Sequence, residues 1–240
     1  MKNFFIGLSL LLQPNFNHDS WEKAYYESLV HSEAPRGIKY AVNSSVMIHS
    51  MNVEKGLSAG SGNLLKIKGE EVIVTAYHVV KDGLFMIAVE KNNNTVAVEL
   101  IYYDEQKDIA VLKPVEKMIV TSAVKLKQRK DNHIGKQVYH CGHPSVVEFN
   151  LSRGMITSFN RGQIIVDSFS LPGSSGSVVF GERGDVIGIV TAIAMGQWFD
   201  SPELIDSVVI VVPLDYLDIQ GIVEALENGT TRIESRDSNN

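Results

Sequence analysis

The segment Pro172-Gly173-Ser174-Ser175-Gly176-Ser177 sets two glycines around one serine. That is what a tight turn needs if it is to aim a hydroxyl outward while backbone N–H groups converge on one point. Ser175 is the candidate nucleophile, and the N–H groups of Gly173 and Ser175, with Ser174 between them, are the candidate oxyanion hole. A Gly/Ser cluster also reads as an ordinary loop, so the chemistry needs partners elsewhere. One is His78, at the end of the apolar run Val72-Ile73-Val74-Thr75-Ala76-Tyr77, which reads as a buried strand preceded by the turn-rich Gly60-Ser61-Gly62. Asp108, thirty positions on, abuts the apolar run Ile109-Ala110-Val111-Leu112. An acid there is costly unless a cationic or hydrogen-bonding group meets it. An imidazole N–H that becomes cationic during acyl transfer is such a group; the alternative is that Asp108 only caps a turn before its strand.

The elements that would hold these residues are mainly strands. Val96 to Ile101 and Gln163 to Val166 have strand patterns, and Asn92-Asn93-Asn94 and Glu182-Arg183-Gly184-Asp185 read as hairpin turns. An amphipathic helix is expected from about Ser20 to His31, capped by Asp19 or Ser20, with Trp21, Tyr25 and Leu29 on one face. From Arg36-Gly37 the pattern turns to β. Periodicity alone gives an all-β chain. The length of 240 residues with 44% hydrophobic residues suits one enzyme domain. A net charge of -6 carries no electrostatic footprint for nucleic acid, and the single Cys141 cannot form an intramolecular disulfide.

The order His78, Asp108, Ser175 is that of chymotrypsin-type proteases, and at these blocks the chain resembles trypsin-like serine peptidases of the HtrA/Deg type over most of residues 41 to 228. Gly60-Ser61-Gly62 with Val74 to Val80 resembles the family's histidine block, and Asp108 to Lys113 its aspartate block. Ile134 to Val138, Cys141-Gly142-His143-Pro144 and Arg153 to Ser158 are similar to the opening of its second barrel. The resemblance implies a chymotrypsin-like double β-barrel, with barrels near 41–120 and 133–213, an N-terminal helical segment over 17–40, a C-terminal helix closing at about Glu227 and a disordered tail over 229–240. It implies a serine endopeptidase acting on protein or peptide substrates, with no cofactor and no metal. Ile189, Val190, Thr191, Ala192 and Ile193 would form the substrate-pairing strand. Phe169, six before Ser175, would lie at the base of the pocket for the side chain before the cut bond, with Ser170, Leu171 and Ile193 narrowing it, favouring small or medium apolar residues. Asp167, eight before the nucleophile, would be structural beneath that pocket. Family members also form trimers through N-terminal aromatic residues, for which Trp21, Tyr25 and Tyr26 are candidates.

The chain departs from the family pattern at Ser177, where glycine is usual, at Val178, where proline or alanine is common, and at His143, where asparagine is usual. No peptide-binding PDZ domain follows before residue 240. A processing protease and a catalytically silent peptide-binding module on the same fold stay open as alternatives.

His140-Cys141-Gly142-His143 holds three metal-ligand types in four residues, but successive strand residues point to opposite faces, so Cys141 reads as a small core hydrophobe and His143 as a turn residue. Asn-x-Ser/Thr triplets start at Asn43, Asn93, Asn150 and Asn228, a pattern that also arises by chance. Lys2 followed by the apolar run Phe4 to Leu12 reads as a leader over 1–16, too short to span a bilayer. Gln13-Pro14-Asn15-Phe16-Asn17 lacks a small-residue cleavage pattern, leaving an uncleaved apolar segment as the alternative, with export the expectation.

Overall fold

The computed structural model describes residues 18–52, 56–127, 132–144, 147–198 and 201–228. The expected leader and C-terminal tail lie outside the described residues. Helix α1 (His18–Ser28) stops three residues short of the expected end, leaving Leu29 exposed in a turn. Its Trp21 and Tyr25 rings stack at 5.6 Å. A second helix, α2 (Arg36–Ser44), begins where the β pattern was expected to start and runs past the helical segment expected over 17–40. Pro35 presets the entry to it, and the small residues Gly37, Ala41 and Ser44 recur at helical spacing on its buried face.

Six strands close the first barrel: β1 (Ser45–Asn52), β2 (Gly56–Ile67), β3 (Glu70–Ala76), β4 (Phe85–Val89), β5 (Thr95–Asp104) and β6 (Ile109–Pro114). Their order is β1-β4-β5-β6-β3-β2, with β2 returning to β1, and the short β7 (Val124–Lys125) lies parallel beside β2. The second barrel, β10-β13-β12-β11-β8-β9, is also closed and antiparallel. Its strands are β8 (Gln137–Gly142), β9 (Asn150–Asn160), β10 (Gln163–Ser168), β11 (Val178–Gly181), β12 (Val186–Trp198) and β13 (Ser201–Pro213). A 3-10 turn at Leu214–Tyr216 leads into the C-terminal helix, Ile219–Asn228. The expected hairpin turns are present, with Asn93 (φ 64°) and Gly184 (φ 78°) supplying left-handed backbone.

Strands β2 and β3 are buried on both faces, which is why their sequences run apolar without alternation. Ile73 and Leu64 face the first barrel's interior, with Val46, Ile48 and Leu112. Val72, Val74 and Leu65 face a core shared between the barrels, with Cys141, Val178, Phe180 and Ile189. Ala41 of α2 and Leu214 and Ile222 near the C-terminus join that shared core. Gly60-Ser61-Gly62, expected in a turn, is therefore part of a strand.

Two buried polar groups tie the barrels and their connector. The Glu90 carboxylate, fully buried, accepts the N–H groups of Ile119 (2.9 Å), Val120 (2.9 Å) and Thr121 (2.7 Å) and the Asn94 side-chain amide (2.7 Å). His143 accepts the Phe149 N–H at Nδ1 (3.0 Å), so its Nε2–H donates to Ser45 Oγ (2.8 Å), and that hydroxyl donates to the Cys141 carbonyl (2.9 Å). Burial pushes His143 down to about 3, with the Lys91 and His49 charges adding to the shift, and burial alone pushes His140 down to about 4.

Glu90→Ala leaves three backbone donors buried without their acceptor, and should lower unfolding free energy by at least about 3 kcal/mol. Urea unfolding checks this; a loss under about 1 kcal/mol would show that the connector finds other partners. The histidines give a second expectation. Unfolded imidazoles titrate near about 6.5, above His140 and His143 in the folded chain, so between those values the unfolded state binds more protons. Their contribution is intact above pH ~6.5 and is lost as pH falls, by about 2 kcal/mol each at pH ~5. His143→Asn should remove its share of the difference between urea midpoints at the two pH values. An unchanged difference would acquit His143.

Candidate active site

His78 does not end a strand. It is the second residue of a one-turn helix, α3 (Tyr77–Val80), that follows β3 directly. Tyr77 is anchored by stacking on Tyr103 at 4.5 Å, and Val79 and Val80 sink into the first barrel, which leaves His78 on the rim with 48% of its side chain exposed. Asp108 sits in the turn between β5 and β6 with left-handed backbone, φ 54°, a conformation Asp tolerates better than most residues. The turn is capped by Asp104, whose Oδ1 accepts the Lys107 N–H at 3.0 Å. Asp108 instead reaches across to α3. Its Oδ1 accepts the His78 backbone N–H (2.8 Å) and its Oδ2 meets His78 Nδ1 (2.7 Å). With the proton of the imidazole on Nδ1, this grip fixes the ring and leaves Nε2 as its unprotonated nitrogen.

Ser175 lies in the turn between β10 and β11. Leu171 C=O accepts the Ser174 N–H at 2.9 Å across Pro172 and Gly173, and Gly173 has φ 104°, the backbone of a type II turn. The turn is docked on β2 of the other barrel. Ser61 N–H donates to the Ser175 carbonyl (2.7 Å), Ser61 Oγ donates to the Gly173 carbonyl (2.7 Å) and accepts the His143 N–H (2.9 Å). Gly176, φ 93°, passes so close that a Cβ there would lie 2.0 Å from the Ser61 carbonyl and 3.0 Å from Ala76 N, two residues before His78. The nucleophile turn and the histidine turn therefore flank the same stretch of β2 and β3. The Ser174 amide is spent on Leu171, whereas the N–H groups of Gly173 and Ser175 form no hydrogen bond among the described residues. Ser175 Oγ forms none either.

The residues expected to hold substrate divide into three groups. Ile189 pairs with both Val178 and Val212, and the Val190 N–H and C=O are taken by Ser177 O (2.9 Å) and Gly176 N (2.7 Å). These two residues have no backbone left for a substrate strand. β11 ends there, so Thr191, Ala192 and Ile193 run on with no strand of the barrel on that side among the described residues. Phe169 is 47% exposed, while its neighbours Ser168 and Ser170 are buried and Leu171 is half-buried. Asp167, expected beneath the pocket, is exposed. The reason is strand alternation, which turns Ile164, Val166 and Ser168 of β10 inward and Asp167 outward.

His140 also points into the second barrel, its Nε2 3.1 Å from Ser168 Oγ. Cys141 turns the other way into the shared core, where burial pushes its thiol up to about 11. With His143 committed to Phe149 and Ser45, the three metal-ligand types diverge. The polar scaffold of Ser61, Asn63, Thr75 and Ser177 is what sequence reasoning missed. Thr75 Oγ1 donates to the Ser61 carbonyl (2.6 Å), and Asn63 Oδ1 accepts the Val178 N–H (2.8 Å). Its signal is the run of small polar residues on otherwise apolar β2.

Known proteins are similar to this chain in sequence and in fold. Chloroplastic Protease Do-like 1 of Arabidopsis thaliana is 27% identical over 147 residues, which are 56% of this chain and 33% of that protein. The probable periplasmic serine endoprotease DegP-like of Ectopseudomonas mendocina is 28% identical over 144 residues, 57% of this chain and 30% of the relative. The chain thus spans about a third of the length of these curated relatives. In fold it is similar to the serine endoprotease from Yersinia pestis, with TM-score 0.61 and 22% identity over 81% of this chain and 67% of that one. The HtrA-type protease AlgW with tripeptide gives TM-score 0.66 at 21% identity, over 81% and 64% of the two chains. The description "Trypsin-like peptidase domain" matches residues 60–189, more than half of the chain, a span that holds His78, Asp108 and Ser175. The chain belongs to the trypsin-like peptidase domain family and is homologous to the HtrA/DegP proteases.

Proposed function

We propose that this chain is a serine endopeptidase that hydrolyses protein substrates through an acyl-enzyme, in HtrA-like protein quality control. The observation that carries the reading is the two-point grip of Asp108 on His78, 2.8 Å to the backbone and 2.7 Å to the ring, beside a nucleophile turn with two uncommitted N–H groups. In this reading Nε2 of His78 takes the Ser175 proton as Oγ attacks the scissile carbonyl, a contact that tightens when substrate fills the cleft. The Gly173 and Ser175 N–H groups stabilise the oxyanion. The imidazolium, held by Asp108, returns the proton to the leaving amine, and water repeats the cycle on the acyl-enzyme. Substrate extends along Thr191 to Ile193 as an added strand. Names such as periplasmic DegP-like and chloroplastic Do-like among the relatives, together with the apolar run Phe4 to Leu12, support export.

A fluorophosphonate should label Ser175, and Ser175→Ala or His78→Ala should abolish labelling and leave hydrolysis only about a thousandfold over water. Folded wild-type protein that takes no label would favour the silent peptide-binding module. Cuts at one dominant site across a proteome-wide digest would favour a processing protease instead.

Asp108→Asn presents an amide N–H to His78 or forces the other tautomer, so turnover should fall roughly ten-thousandfold with the fold retained. Steady-state kinetics beside a circular-dichroism melt checks this. Wild-type turnover in the variant would remove Asp108 from the mechanism.

A further inference from the structure

Ser177 is fully buried, two residues after the nucleophile, and stands where the resembling family has glycine. Its N–H donates to the Ser174 carbonyl at 3.1 Å, and its hydroxyl donates to the same oxygen. Ser177 is itself fixed, because its carbonyl accepts the Val190 N–H (2.9 Å) and the next amide, Val178 N–H, is held by Asn63 (2.8 Å). The Ser174 carbonyl belongs to the peptide group whose other end is the Ser175 N–H. In a trans peptide the C=O and N–H point in opposite directions. Drawing that carbonyl into the turn therefore aims the Ser175 N–H outward, and this N–H has no partner among the described residues. Turning the peptide over would forfeit both bonds and present a carbonyl oxygen where an anion must sit.

We propose that the Ser177 hydroxyl is a positioning residue for catalysis: it locks the Ser174–Ser175 peptide plane so that the Ser175 N–H stays aimed at the developing oxyanion. A carbonyl accepting two hydrogen bonds also polarises its amide, which strengthens that N–H as a donor. The role rests on the serine-peptidase reading. It predicts an effect on the transition state and none on substrate held in the ground state, because the hydroxyl touches neither the cleft nor His78.

The test is Ser177→Ala, which removes one oxygen and keeps the Cβ, with Ser177→Cys as a control that keeps an atom at the γ position but offers only a weak donor. For each, kcat and KM on a peptide substrate are measured with the inhibition constant of a peptide boronate, which captures the oxyanion geometry. Binding of the uncleaved peptide is measured in a Ser175→Ala background. One hydrogen bond to a peptide that keeps its second bond predicts a roughly tenfold loss in kcat for Ser177→Ala. KM and ground-state binding should stay within about twofold, boronate affinity should fall in parallel with kcat, and the pH profile should not move. Ser177→Cys should follow alanine. Wild-type kcat in Ser177→Ala, a cysteine variant that behaves as wild type, or equal losses in ground-state and boronate binding would each overturn the role. Those outcomes leave the peptidase reading standing. A wild-type protein that neither hydrolyses nor labels would overturn the reading and this role together.

Discussion

The seating of the Ser175 turn on strand β2 is the constraint on which the site depends. The two barrels contribute different parts, with His78 and Asp108 on the first and Ser175 on the second, so the proposed proton transfer requires their relative position to hold to fractions of an ångström. Packing of the shared core brings the barrels together but is non-directional. Direction comes from Ser61, whose N–H and Oγ fix two carbonyls of the turn, and from Gly176, which admits contact with the Ser61 carbonyl only because it lacks a Cβ. Thr75 then ties the Ser61 carbonyl to the strand that leads into His78. One short polar chain thus links nucleophile turn, β2, β3 and histidine without passing through the cleft.

The backbone polarity of the turn follows from the same bonds. The carbonyls of Gly173, Ser174 and Ser175 all find donors away from the cleft, in Ser61 Oγ, Ser177 and Ser61 N–H. Because the carbonyls are committed inward, the amides left over face outward, and a concentration of unpaired N–H groups is an anion site by electrostatics alone. The surrounding bonds offset the cost of leaving those amides unpaired, and in the proposed mechanism this preorganises them for the oxyanion.

Much of this is legible in the sequence, for reasons specific to each residue. His78, Asp108 and Ser175 can be singled out because they stand in the order His, Asp, Ser, the first two against apolar strand runs and the third between glycines. The strands are legible from β-branched runs, and β3 from the absence of alternation, whereas the Gly60-Ser61-Gly62 run hid β2 behind a turn pattern. What failed was local. Arg36 to Ser44 was expected to be β because the small residues that let α2 pack closely carry little hydrophobic signal, and tertiary packing decided the matter. Asp167 was placed beneath the pocket by offset from the nucleophile, which fixes distance along the chain but leaves strand phase to the register of β10, and that register turns it outward. Glu90 was invisible, since nothing near it in sequence shows that Ile119 to Thr121 will bring three N–H groups to its carboxylate.

His143 shows how a departure from family pattern can be absorbed without touching the chemistry. This turn needs one acceptor and one donor, which the asparagine expected from the resemblance would also offer. A neutral imidazole supplies both, from Nδ1 to Phe149 and from Nε2 to Ser45. The substitution works only while the ring is neutral, because a proton on Nδ1 would remove the acceptor, and burial enforces that neutrality by holding the group down at about 3. The exchange trades a pH-independent amide for a ring whose pairing depends on its protonation state. The same turn supplies the His143 N–H to Ser61 Oγ, at 2.9 Å. Protonation of a ring outside the cleft would therefore strain the bond network that seats Ser175.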